Sequence, residues 1–183
     1  RIFNQASNEV NQETNFDWFV ASAPGAIKNV EGLLYVSPEN EYLLSTAIVA
    51  YSGYAYAVYE TEMLEATLAK NETLLKQKTD MAKYQYSKAI KYGEKYLKTK
   101  GMSLNELMAS KDPVEKVLEK KLSKKDVRSI FYIGQAIAGL VNLEKSNVEL
   151  VGQLPLAKSF VDWSCQKNPL LDNGACSFFN ALY

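Results

Sequence analysis

Apolar residues recur with the period of an α-helix along almost the whole chain after about residue 24. Strand-like alternation of apolar and polar residues is absent, and Gly and Pro fall where helices would begin or end. The clearest apolar stripe lies in residues 80–99 and consists of Ala82, Tyr86, Ala89, Ile90, Gly93 and Leu97. The pattern therefore predicts an all-α protein.

The breaks in this pattern predict six helical stretches. They cover about 24–35, 41 to 65 or beyond, 80–99, 123 to before the restart at 146–147, from there to 167, and 172 to the end, with a bend or break near Pro155 in the fifth. Pro24 suits the first turn of the first helix. Ser123 is a good N-cap, with Asp126 at the third position of a capping box. Residues 101–122 are expected to form an insertion that carries a short charged helix over 112–121.

Three helix–turn–helix units in a row predict a stack of antiparallel hairpins, because a single hairpin cannot bury its own apolar face. The spacing of Leu44, Ala47 and Tyr51 after Pro38 is typical of a degenerate tetratricopeptide repeat, so the expected architecture is an α-solenoid. Small residues stand where close helix contact would need them: Ala47, Gly53, Ala57, Gly93, Gly134, Ala138 and Ala181.

The two ends of the chain differ from the rest in their helix signals: the first residues lack helical periodicity, and the last lack a helix cap. Residues 1–22 have no periodicity and are rich in Asn, Gln and Ser, so we expect an extended N-terminal arm before a helical domain over 23–183. Residues 176–183 resemble the middle of an amphipathic helix without a cap. We therefore expect the domain to be truncated at its C-terminus.

Composition and charge exclude several classes of function. The chain has 183 residues, of which 47% are hydrophobic, so it can build a sizeable core. Its 21 basic and 21 acidic residues cancel, which argues against a nucleic-acid partner. It has no histidine, which excludes His-based triads, His-ligated zinc and His acid–base catalysis. We expect no metal, no cofactor and no enzymatic activity.

Two charged groups of residues are candidates for functional sites. Glu60, Glu62 and Glu65 form an acidic cluster that could bind metal or do acid–base work, but the preferred interpretation is a solvated helix end. Seven basic residues between positions 111 and 128 could meet an acidic partner or a membrane surface. Here too a solvated helix face is the preferred interpretation.

Residues 42–59 carry no charge and are nearly long enough to span a bilayer. A transmembrane helix is one interpretation, but the many Tyr, Ser and Gly residues favour a central buried helix. The tyrosines of this stretch can be core residues. Alternatively, some of them line an aromatic cleft for an apolar ligand, for which the candidates are Tyr51, Tyr54, Tyr56 and Tyr59.

Cys165 and Cys176, the two cysteines, are 11 residues apart and flank a turn around Pro169. They can be two small buried residues. If helices end and begin on either side of the turn, the cysteines face each other across a hairpin and can form a disulfide, which implies an oxidising compartment.

Two stretches resemble the T component (TatT) of tripartite ATP-independent periplasmic (TRAP) transporters. The first runs from Pro38-Glu39-Asn40 to the Tyr-rich segment around Gly53. The second begins at Lys125 and includes Phe131-Tyr132-Ile133-Gly134, Val151-Gly152-Gln153-Leu154-Pro155 and Asp172-Asn173-Gly174-Ala175. The resemblance covers about residues 24–183.

The resemblance implies an all-helical periplasmic lipoprotein built of degenerate tetratricopeptide-like hairpins. It also implies an oligomer that pairs with a solute-binding protein, an apolar cleft or pore, and a location in the periplasm or at the inner face of the bacterial outer membrane. A lipid anchor would lie outside this chain. The second hypothesis is a structural or accessory subunit of a larger cell-envelope assembly, such as a secretion or motility complex.

Overall fold

The computed structural model describes the backbone of residues 15–182 and the side chains of residues 15–179, and every regular element in that range is helical. The predicted all-α class is confirmed. A π-helical segment, Ala55–Glu60 (hereafter the π segment), joins the second and third helices, and short 3-10 turns occur at Lys124–Asp126 and Leu171–Asn173. The helices are α1 Phe16–Val36, α2 Glu41–Tyr54, α3 Thr61–Leu68, α4 Glu72–Thr99, α5 Leu104–Met108, α6 Val114–Lys121, α7 Val127–Leu143, α8 Val148–Val151, α9 Leu154–Lys167 and α10 Ala175–Leu182.

Helix α1 begins at Phe16, so the prediction of an extended arm was wrong for residues 16–22. Asn15 caps the helix by accepting a hydrogen bond from the Trp18 N–H. Pro24 lies inside the helix and cannot donate to the carbonyl of Val20, but the Tyr54 hydroxyl donates to that oxygen instead, at 3.2 Å. The helix therefore continues through the proline. Residues 1–14 of the predicted arm lie outside the described residues.

Contacts between the ends of the helices show that neighbouring helices are antiparallel. Tyr54, at the end of α2, reaches Val20 near the start of α1. Lys100, just after α4, pairs with Glu41 at the start of α2, at 2.5 Å. Ser164, near the end of α9, donates to the carbonyl of Val127 at the start of α7. The stack of antiparallel hairpins predicted from the sequence is thus the observed packing.

Helix α7 is the centre of the core, since it packs on α2, α4 and α9. Two of the predicted small-residue contacts are real. A Cβ atom at Gly134 would lie 2.8 Å from the backbone oxygen of Ala157 in α9, and one at Gly93 would lie 2.7 Å from the Ile133 side chain. Gly53 differs, because a Cβ atom there would meet nothing within 4 Å. Of these three glycines, Gly134 and Gly93 lie at close helix contacts and Gly53 does not.

We expect Gly134→Ala to lower the free energy of unfolding by about 1–3 kcal/mol, because backbone atoms of α9 cannot move aside for the added methyl group. Gly32→Ala is the matched control, since it also lies within a helix but has open space at its Cβ position. It should raise stability by about 0.5–1 kcal/mol through helix propensity. Urea denaturation followed by circular dichroism measures both. Equal effects of the two substitutions would contradict the close approach of α7 and α9.

The uncharged stretch over 42–59 forms α2 and most of the π segment, with Leu44, Ile48 and Tyr51 buried in the core. Within residues 15–182, no helix has both the length and the apolar character needed to cross a membrane. The stretch is a central packed helix, in agreement with the preferred interpretation of its composition.

Candidate functional site: an aromatic cleft

An open cleft of about 490 Å³ lies beside α7 and is walled largely by aromatic rings. Helix α7 supplies one wall with Phe131, Tyr132, Gln135, Gly139 and Asn142. The π segment, α4 and the C-terminal residues 172–179 supply the rest. The aromatic members of the lining are Tyr56, Tyr86, Phe131, Tyr132, Phe178 and Phe179. Its volume lies within the range of small-molecule sites.

The π segment decides which residues of the central helix reach this cleft. Its Tyr56 and Glu60 both line the cleft, four residues apart. Single π turns inside α-helices are frequent at functional sites, because the wider turn redirects side chains. The Tyr56 ring meets Phe178 edge to face, with 5.5 Å between ring centroids. This contact forms the side of the cleft at which the π segment meets α10.

The other three tyrosines predicted as cleft residues lie in the core on other sides of the helix. Tyr51 stacks on Tyr92, with 5.8 Å between ring centroids. Tyr54 packs against Phe19 of α1 and meets the ring of Tyr59 edge to face. Their helical spacing turns them away from Tyr56, so Tyr56 is the one candidate of the four that lines this cleft.

Glu60 lines the cleft and is half-buried, so the interpretation of this residue as part of a solvated helix end was wrong. The Tyr86 hydroxyl donates a hydrogen bond to the Glu60 carboxylate. Burial raises the pKa of Glu60 above its ordinary value, and the bond from Tyr86 offsets part of that rise. A Cβ atom at Gly139 would lie 2.5 Å from the Tyr86 ring, so this glycine leaves the room that Tyr86 occupies. In the sequence, Glu60 is marked only as the first charged residue after the uncharged stretch 42–59, and nothing local links it to the cleft.

Asp172 forms a second polar group at the rim of the cleft. Its Oδ2 atom accepts hydrogen bonds from Arg128 at 2.9 Å and from the Tyr132 hydroxyl at 2.8 Å. Burial and the neighbouring Asp172 carboxylate raise the pKa of Tyr132, so its hydroxyl stays protonated and donates. Asp172, Asn173 and Gly174 have positive φ angles of 43°, 58° and 113°. This tight turn brings the chain from α9 to α10 past the cleft.

A disulfide joins Cys165 to Cys176, with 5.7 Å between the Cα atoms. Cys165 lies in the last turn of α9, and Cys176 lies in the first turn of α10. The bond therefore ties the helix that carries Phe178 and Phe179 to the hairpin of α7 and α9. It fixes one wall of the cleft.

The geometry defines a packed stack of antiparallel helices with an aromatic cleft at its C-terminal end. Among residues 15–182, no group of acidic or cysteine side chains could hold a metal ion. The fold is that of an all-α helical-repeat protein.

A family model described as "TRAP transporter T-component" (TAtT) matches residues 12–183, and the chain belongs to this family. The resemblance found in the sequence is thereby confirmed. Membership indicates a transporter-associated role and points to association with other transporter subunits. None of the curated proteins compared with the chain matches it.

Proposed function

We propose that the protein is a non-enzymatic accessory component of a TRAP transporter that binds the solute-binding protein and holds a small ligand in the aromatic cleft. It would act in the periplasm or at the inner face of the outer membrane, as a small oligomer. The cleft is the observation that carries this proposal. It is open to solvent, large enough for a small molecule and lined by six aromatic rings, whereas a purely structural subunit has no need of such a cavity.

Two further observations support a transport role. The chain belongs to the transporter component family over nearly its whole length. The disulfide that holds the cleft wall suits an oxidising compartment such as the periplasm. The antiparallel hairpins also present an extended helical surface, which is the usual platform for protein partners in helical-repeat proteins.

The test is native mass spectrometry of the protein released from its own envelope in mild detergent, with its companions identified. A small homo-oligomer that carries a solute-binding protein is the expected result. A large assembly of fixed stoichiometry without transporter subunits would overturn the proposal and favour a structural subunit of a secretion or motility complex.

A further inference from the structure

We propose that the aromatic cleft is selective for a small organic cation, a protonated amine or a quaternary ammonium group, whose charge faces Glu60. This inference rests on the proposed role of the cleft as a ligand site and adds the chemical class of the ligand. Three features of the cleft carry it: an acidic residue without a basic partner, walls of aromatic rings, and a rim whose second carboxylate is already paired.

The first feature is the charge of the cleft lining. Glu60 accepts a hydrogen bond from Tyr86, but no Lys or Arg among residues 15–179 forms an ion pair with it. Asp172 differs, since Arg128 lies 2.9 Å from its carboxylate. The lining thus holds one uncompensated acidic group. A carboxylate held away from water gains most from a partner of opposite charge.

The second feature is the aromatic character of the walls. The faces of Tyr and Phe rings attract cations, and this attraction strengthens when the cation is removed from water. Around the cleft, Phe131 and Phe179 meet at a steep angle, with 6.1 Å between centroids, and Tyr56 and Phe178 meet in the same way. Rings packed edge to face lie at steep angles to one another, so several ring faces can surround one ligand. The protein already uses such a contact at the rim, where the Arg128 guanidinium lies 5.7 Å from the Tyr132 ring.

The competing ligand classes fit less well. An anionic ligand would meet the uncompensated negative charge of Glu60 and would be repelled. A purely apolar ligand would displace water from Glu60 without giving the carboxylate a partner, which is costly in a cleft of this kind. An organic cation avoids both costs because it pairs with Glu60 while its methylene or methyl groups pack on the rings.

Calorimetric titration with three probes of the same shape tests the charge preference: choline, its neutral analogue 3,3-dimethylbutan-1-ol, and the anion 3,3-dimethylbutanoate. We expect choline to bind at least about 10-fold more tightly than the alcohol and the anion not to bind. No detectable choline binding at millimolar concentrations, or equal binding of the alcohol, would overturn the proposal. Tighter binding of the anion would also overturn it.

Glu60→Gln separates the charge from the shape of the site. The Gln oxygen can still accept the bond from Tyr86, so the melting temperature should stay equal or rise. Choline binding should fall about 10-fold or more while alcohol binding stays unchanged. Glu62→Gln is the matched control, since Glu62 lies in the same acidic cluster but outside the cleft and pairs with Lys78. It should leave both affinities unchanged. An unaltered choline affinity in Glu60→Gln would contradict the assignment.

Phe178→Leu tests the aromatic contribution through a second residue. Phe178 is half exposed, so the substitution keeps an apolar side chain without cutting into the core. Choline affinity should fall several-fold and alcohol affinity should change little; an equal fall in both would mean that the rings act only as an apolar surface. Association with the solute-binding protein is measured separately from choline binding. If the solute-binding protein associates but choline does not bind, the preference for an organic cation is wrong and the transport role stands. If choline binds but the solute-binding protein does not associate, the transport role is wrong and the preference for an organic cation stands.

Discussion

Asp126→Ala is expected to lower the free energy of unfolding by about 3–5 kcal/mol, because it breaks a buried ionic network at the centre of the fold. Asp126 is 2% exposed. Its carboxylate accepts hydrogen bonds from the Tyr96 hydroxyl at 2.6 Å and from the Ser123 backbone N–H at 2.8 Å. The Lys100 ammonium lies 3.1 Å away, and only 9% of the Lys100 side chain is exposed.

Removal of the carboxylate leaves these partners without their acceptor. The Lys100 ammonium would lose one of its two carboxylates and keep Glu41, which is more exposed. The Tyr96 hydroxyl, which is buried, would lose the carboxylate that accepts its hydrogen bond. The capping box between Ser123 and Asp126, just before the first residue of α7, would also be lost. Since α7 packs on three other helices, its starting turn affects the whole stack.

Chemical denaturation measures this loss, and Asp80→Ala provides the matched control. Asp80 pairs with Lys76 one helical turn away, and both side chains are more than half exposed. Such surface pairs contribute about 0.3–0.5 kcal/mol, so the control should unfold almost as the wild type does. Similar midpoints for Asp126→Ala and Asp80→Ala would show that the network does not stabilise the fold.

The acid range gives a second readout of the same network. Burial by itself raises the pKa of Asp126, but hydrogen bonds from Tyr96, Ser123 and Lys100 outweigh it and hold the pKa below its ordinary value. A carboxyl with a lowered pKa in the folded state stabilises the fold above its unfolded pKa, about 3.9, and this contribution is lost as the pH falls below that value. The wild type should therefore lose stability more steeply below about pH 4 than Asp126→Ala does.

The periodicity of apolar residues was enough to predict the class and packing of the fold, because helix faces and helix ends leave local signals. The capping box at Ser123 and Asp126 was found from the sequence for this reason, and the structure confirms it. The buried partners of Asp126 were not found. Tyr96 and Lys100 lie in α4 and just after it, and nothing local marks which carboxylate they will meet across the fold.

The start of α1 and the set of residues that line the cleft could not be read from the local sequence, for the same kind of reason. Pro24 indicated a helix start because a proline inside a helix leaves a carbonyl without its donor. That donor comes from Tyr54 in another helix, which the local sequence could not reveal. Likewise, the π segment and the turn at Gly174 decide that Tyr56 and Glu60 face the cleft. Both depend on packing between distant parts of the chain.

Reduction of the bond between Cys165 and Cys176 is expected to lower the free energy of unfolding by about 2–3 kcal/mol. The bond closes a short loop across 11 positions, which limits the freedom of the unfolded chain. In a protein of this length that loss corresponds to a fall in melting temperature of roughly 4–12 °C. Thermal unfolding with and without a phosphine reductant measures it. The double substitution of Cys165→Ser and Cys176→Ser is the control, since reductant should have no effect on that variant.

The same treatment separates the role of the bond in stability from its role in the cleft. Cys176 is 5% exposed and Phe179 is 7% exposed, so the start of α10 keeps apolar contacts when the bond opens. The Phe178 ring is half exposed and depends more on the bond for its position. Reduction should therefore weaken ligand binding in the cleft at temperatures where the helical content is still unchanged. If the melting temperature does not move in reductant, the bond is absent in the purified protein, and the argument for an oxidising compartment loses its main support.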